Sequence, residues 1–173
     1  MRRIYDGLNA ALLALIAYSI LSPYSKLPDR VPVHFKVSGN PDRWGSKSEL
    51  LLLIGLSFGM TMIFYAIILV MPRLSRNPRY LNIPYKSEFL KLKPEKQKIY
   101  WEFLQEFLAG MTVAINLVFY LIIHGTLRIA QEKAKALAFK DVSLGILVLA
   151  LVMAYYFPRL FSLPKKLIRD EEP

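Results

Sequence analysis

Apolar residues in this chain fall into four long blocks separated by short polar stretches. The blocks run from about Gly7 to Leu21, Leu50 to Met71, Phe107 to Leu127 and Val142 to Phe161. A hydrocarbon core of ~30 Å needs about 20 apolar residues as helix. The second block holds no charged residue and is followed by Pro72; Ser22-Pro23 follows the first, and Pro158 sits near the end of the fourth. The pattern predicts an all-α integral membrane protein with four transmembrane helices. The first block is read as a retained span. It is longer than a signal-peptide core, and Tyr18 and Ile20 interrupt any small-x-small cleavage site.

The period changes between the first two spans. Val31, Val33, Phe35 and Val37 alternate with Pro32, His34, Lys36 and Ser38. An alternation of two predicts a short strand with one apolar face. Pro32 confines it to an edge or a bulge, because proline donates no ladder hydrogen bond. Gly39-Asn40-Pro41-Asp42 is a dense turn signal, so the loop reads as a β-hairpin. Trp44 beside the second span is placed for the membrane interface.

The stretch from Pro72 to Glu106 carries Pro78, Pro84 and Pro94 and reads as irregular at first, with Asn82-Ile83-Pro84-Tyr85 a turn at the head groups. From Pro94 a helix is expected, since proline suits the first helical turn. Ile99, Phe103 and Phe107 form its apolar row, widened by Tyr100 and Trp101, and Lys96 and Lys98 reach toward phosphates. An interfacial helix running into the third span follows. The chain thus divides into a first helix pair with its loop (1–72), a connecting loop and helix (73–106), and a second helix pair with a tail (107–173). Arg128 to Asp141 reads as a charged connection that prolongs the helices briefly, and Pro164 to Pro173 as a solvated tail.

Charge adds orientation. The 173 residues carry a formal net charge of +10 although 54% of them are hydrophobic. Ten Tyr and ten Phe exclude disorder, and zero Cys excludes thiol chemistry and cysteine-based zinc sites. Fourteen of the Lys and Arg fall on the side of the two termini, including Arg73, Arg76 and Arg79, and nine fall opposite. The positive-inside bias places both termini in the cytoplasm. The basic residues are attracted to anionic lipid. Nucleic acid is not an expected partner, because no water-exposed domain presents a basic face. No Gly-rich phosphate loop or hydrolase elbow is present.

Candidate chemistry is sparse. His34 and Asp42 approach each other if the chain folds back at Gly39, and Asp29 and Arg30 offer another charge pair. These groups either tie the hairpin together or recognise an external ligand. A metal-dependent hydrolase using His34 and Asp42 is an alternative with a thin ligand set, since metal sites usually want three or four ligands. No metal, cofactor or catalytic residue is assigned. In the third span Thr112, Asn116, Tyr120 and His124 recur every four residues and form a polar stripe expected to face the bundle. Gly55 and Gly59 make a Gly-x-x-x-Gly for close helix packing, within the chain or in a homo-oligomer.

The run Leu27-Pro28-x-x-x-Pro32-x-His34-Phe35, then Gly39-x-x-Asp42-x-Trp44-Gly45-x-Lys47, resembles the N-terminal domain of unknown function of SdpI-type membrane immunity proteins. That domain also occurs in short bacterial and archaeal membrane proteins, which Asn82-Ile83-Pro84-Tyr85 resembles as well. The resemblance implies a cell-membrane location in a bacterium or archaeon. It further implies immunity to a secreted peptide, or capture of a regulator at the membrane. A ligand- or partner-recognition loop is therefore expected at Pro28, Asp29, Pro32, His34, Phe35, Gly39, Asp42, Trp44 and Lys47. A cytosolic regulator would dock at 73–106. The resulting expectation is a non-enzymatic immunity, envelope-stress or signalling factor; the alternatives are the hydrolase and an auxiliary subunit of a membrane transport complex.

Overall fold

The computed structural model describes residues 1–74 and 82–170. Pro78, Arg76 and Arg79, which entered the reading of the connecting loop and the charge bias, lie outside the described residues, as does the end of the tail at 171–173. Among the described residues four helices are long and apolar enough to cross a membrane. They are α1 (Arg2–Leu21), α2 (Glu49–Leu74), α4 (Pro94–Ala130) and α5 (Phe139–Arg169), with a one-turn helix α3 (Lys86–Phe89) between α2 and α4. A 3-10 turn (Tyr24–Lys26) leads from α1 into a two-stranded antiparallel hairpin, β1 (Arg30–Phe35) and β2 (Pro41–Ser46). The chain is a multi-pass membrane protein with the expected four spans and small hairpin.

Helix α4 is the axis. It packs against α1, α2 and α5, and near its end against β1. Its small residues allow this: Gly110 lies between Tyr5 and Tyr156, and Ala109 and Ala114 are fully buried. Gly145 of α5 crosses α4 so closely that an added Cβ would stand 2.9 Å from Val118. The outer faces of α2 and α5 are the reverse of a soluble protein's, exposing Leu52, Met62, Leu69, Leu147 and Leu151. Such a surface is stable only against hydrocarbon.

Two apolar clusters hold the ends. At the hairpin end Ile16, Ile20, Leu27, Val31, Leu50, Ile123 and Leu127 pack together. At the end carrying both termini Phe89, Leu92, Tyr100 and Leu167 do so. The second cluster corrects the expected tail. Rather than running solvated from Pro164, α5 continues through Pro158 and Pro164 to Arg169 and buries Leu167. Likewise α2 passes through Pro72 and ends at Leu74.

At Pro72 and Pro164, α4 supplies what the proline removes. Proline has no N–H, which orphans the carbonyl four residues earlier. Pro72 orphans the Ile68 carbonyl, and the Gln105 side-chain amide donates to it at 3.3 Å. Pro164 orphans the Leu160 carbonyl, and the Tyr100 hydroxyl donates to it at 3.3 Å. Tyr100, rather than the expected row through Ile99, is thus the buried anchor of the early α4 turns; Ile99 is half exposed. The expected interfacial helix and third span are one continuous helix of 37 residues. At its far end α4 runs three residues past Leu127 to Ala130 and α5 begins at Phe139, so both helices are prolonged briefly, with residues 131–138 as the non-helical connection.

Candidate functional site: the hairpin and the polar belt

The hairpin register pairs Arg30 with Ser46, Val31 with Gly45, Pro32 with Trp44, His34 with Arg43 and Phe35 with Pro41, with irregularities on both sides of His34. Val33 is left unpaired beside Pro32. A bulge of this kind re-aims side chains. Val31 and Pro32 are buried, and Val33 and Phe35 are half-buried. Val37, expected on the apolar face, lies beyond the end of β1 and is 96% exposed. The alternation is broken there because the chain turns at Lys36, whose N–H donates to the Asn40 carbonyl at 2.9 Å.

That turn brings His34 Nδ1 to 2.6 Å from Asp42 Oδ1. A carboxylate only accepts, so Nδ1 carries the proton. The hydrogen bond from His34 holds the Asp42 carboxyl below its ordinary range, aided by the charge of His34 and, more weakly, Lys36. The His34 side chain is 64% exposed, which leaves Nε2 as a polar handle at the surface. Among the described residues no group of three His, Cys, Asp or Glu gathers, at this pair or elsewhere.

Asp29 and Arg30 do not pair with each other. Asp29 meets Lys47 at 3.0 Å across the hairpin base, and Arg30 donates to the Trp44 carbonyl at 3.1 Å. Lys47 also donates to the Leu27 carbonyl and lies over the Tyr24 ring. Pro28 and Trp44 are exposed, Trp44 by 43%. Under the strand, Pro32, Val33, Phe35, Leu53 and Ile122 line a cleft of about 240 Å³ that also contains Glu49. The Glu49 carboxylate accepts from the Ser46 N–H at 3.2 Å.

The hairpin tip is fastened to the far side of the bundle. The Leu137 N–H, in the connection between α4 and α5, donates to the Gly39 carbonyl at 2.8 Å. Gly39 has φ +84°, and an added Cβ would stand 2.2 Å from the Leu137 carbonyl oxygen. The Leu137 side chain fills the space where Gly125 of α4 lacks one.

The polar stripe of α4 is divided among different surroundings. Asn116 is fully buried and donates to Asn9 Oδ1 at 3.1 Å and Thr61 Oγ1 at 2.9 Å. Thr112 is buried too, but its hydroxyl returns to the Leu108 carbonyl of its own helix. Tyr120 packs on the hairpin-end cluster, and His124 is exposed and stacks on it at 5.9 Å. Asn9 extends the belt. Its amide donates to the Ala109 carbonyl at 3.1 Å and the Tyr65 hydroxyl at 3.3 Å, and Tyr65 donates to Asp6 at 2.7 Å. Arg2 continues the chain by donating to Gln105 at 2.7 Å.

Asn9, Thr61 and Tyr65 were not among the residues the sequence singled out. The available signal was the few amides and hydroxyls inside the first three apolar blocks, among them Asn9, Thr61, Tyr65 and Asn116. Among the described residues nothing lies within 4 Å of a Cβ built on Gly55 or Gly59, so the Gly-x-x-x-Gly packs on no described helix.

A family model described as a domain of unknown function (DUF1648) matches residues 10–58, which cover most of α1, the hairpin and the first turns of α2. A protein of Archaeoglobus fulgidus described as uncharacterized is 37% identical over 100 residues, 54% of this chain and 52% of that one. The chain thus spans about half the length of this relative. No solved structure matches the chain.

Proposed function

We propose that this membrane protein is a non-enzymatic immunity, envelope-stress or signalling factor that recognises an external ligand through the hairpin at residues 27–47. The favoured ligand is a secreted, membrane-active peptide. The termini then face the cytoplasm, in keeping with the positive-inside bias of the sequence. The likeness of the loop to SdpI-type proteins supports the class.

One observation carries the mechanism: the hairpin is fastened at both ends while its polar pair stays exposed. Its base is packed in the core through Val31, and its tip is bonded to Leu137. A peptide side chain entering the cleft beside Phe35, with a polar group on His34, would push on α2 and α4 directly. Displacement of the tip would reach the α4–α5 connection. The cytosolic face at 73–106 would then hold or release a regulator.

The test is genetic. Cells lacking the gene are challenged with a panel of secreted peptides and membrane-active compounds. Loss of protection is expected, with rescue by the wild-type chain and not by His34→Ala, Asp42→Ala or Trp44→Ala at equal protein level. Full rescue by all three variants would remove the hairpin from the function.

A further inference from the structure

Two clefts at the end of the bundle that carries both termini differ in charge balance. In the cleft between α1 and α4, lined by Arg2, Arg3, Asp6 and Glu106, two of the cations are answered. The terminal amine of Met1 lies 3.3 Å from Glu106, and Arg2 Nε lies 3.8 Å from Asp6. The second is a groove of about 620 Å³ along the end of α5, lined by Arg159, Lys165, Lys166 and Arg169 with Phe103 and Leu163 as apolar walls. No carboxylate among the described residues forms an ion pair with any of these four cations.

The depth of the groove follows from α5. About 20 helical residues cross ~30 Å of hydrocarbon. Counted from Val142, that distance ends near Phe161. Arg159 then sits at the edge of the hydrocarbon, and Lys165 to Arg169 lie at the level of lipid phosphates. Arg159 is already ordered: its guanidinium donates to the Tyr155 carbonyl and lies 3.8 Å from the centre of the Tyr155 ring. A guanidinium has five N–H donors, so others remain for a ligand. Lys96 of α4 braces the same segment by donating to the Leu167 carbonyl at 3.4 Å.

We propose that this groove binds the headgroup of an anionic phospholipid. The phosphate bridges the α5 cations, and the acyl chains pass along Phe103 and Leu163. Four cations with no ion-pair partner among the described residues select a net negative headgroup over a zwitterionic one. The apolar walls and the membrane depth favour a lipid over a free phosphate ion. A cation beside an anionic membrane surface is worth roughly fivefold in binding, so losing two should cost about 25-fold, which more than offsets a preference of about tenfold.

The experiment uses the full chain purified in detergent, offered equimolar phosphatidylglycerol and phosphatidylcholine and read by native mass spectrometry. Wild type is expected to retain phosphatidylglycerol by about tenfold or more over phosphatidylcholine. Lys166→Gln with Arg169→Gln should bring the ratio near unity, while Lys166→Arg keeps it. Arg2→Gln with Arg3→Gln, in the cleft that holds Asp6 and Glu106, should leave it unchanged. Helix content by circular dichroism confirms that each variant is folded. The proposal is overturned if wild type shows no preference, if the α5 pair keeps it, or if the Arg2/Arg3 pair abolishes it equally. It is also overturned if millimolar inorganic phosphate displaces the lipid, which would make the groove a site for the free ion.

Discussion

The Leu137 N–H donates to the Gly39 carbonyl at 2.8 Å, joining the hairpin tip to the connection between α4 and α5. Ninety-eight residues of chain separate the two groups. The bond makes the hairpin a strut across the bundle end rather than a free loop. Gly39 is required at this point for two reasons: its φ is +84°, and its α-carbon lies against the Leu137 carbonyl. A side chain there would be strained by the backbone and would also collide.

Gly39→Ala should therefore release the tip. The left-handed conformation alone costs an L-residue roughly 1–2 kcal/mol. The four spans do not depend on the contact, so helix content by circular dichroism should be unchanged. Trypsin cleavage after Lys36 and Arg43 should accelerate, because the tip opens more often. Unaltered cleavage would show that the bond to Leu137 does not restrain the hairpin.

The His34–Asp42 pair should impose an acid limit on the hairpin. The Asp42 carboxyl is held low by the His34 hydrogen bond. A carboxyl lowered in the folded state stabilises above its ordinary range, and that contribution is lost as pH falls through the lowered value. Carbon-13 NMR of the Asp42 carboxyl should show a midpoint below that of an unpaired aspartate. His34→Ala should move the midpoint upward. An identical titration in the variant would mean the pair does not form in solution.

Asn116 should be the most costly polar residue to remove from the bundle interior. It is fully buried, and both Asn9 and Thr61 depend on it. Hydrogen bonds between spans average only about 0.6 kcal/mol, but a buried polar group left unpaired costs roughly 1–3 kcal/mol. Asn116→Leu should lower stability by about that larger amount in detergent unfolding. Thr112→Val should cost less, because the Thr112 hydroxyl only returns to its own helix. Equal losses would place the two residues in equivalent environments.

The spans and hairpin were legible because their signals are local: block length for the helices, and alternation with a Gly-Asn-Pro-Asp turn for the hairpin. The meeting of His34 and Asp42 followed from the turn at Gly39. Less legible was everything set by packing between helices. Lys47, rather than Arg30, reaches Asp29 because the register puts the two ends of the hairpin side by side. Thr112 and Asn116 have the same spacing logic and different partners, which depends on where α1 and α2 cross α4. Proline was misleading in a specific way. In isolation Pro72 marks the end of a span and Pro164 the start of a solvated tail, yet both lie inside helices.

That last point yields a test of coupling. If the Tyr100 hydroxyl is needed because Pro164 orphans the Leu160 carbonyl, the two residues must be energetically linked. Tyr100→Phe removes the donor to that carbonyl and should cost about 1 kcal/mol or somewhat more. Pro164→Ala restores a backbone N–H four residues after Leu160 and removes the need for the hydroxyl. Tyr100→Phe should therefore cost clearly less in the Pro164→Ala background, a positive coupling readable in a double-mutant cycle. The same cycle applies to Gln105→Leu with Pro72→Ala through the Ile68 carbonyl. Gln105 also accepts from Arg2, so that rescue should be incomplete. Strict additivity for Tyr100 and Pro164 would mean that the hydroxyl and the proline act independently, and that α5 passes Pro164 for another reason.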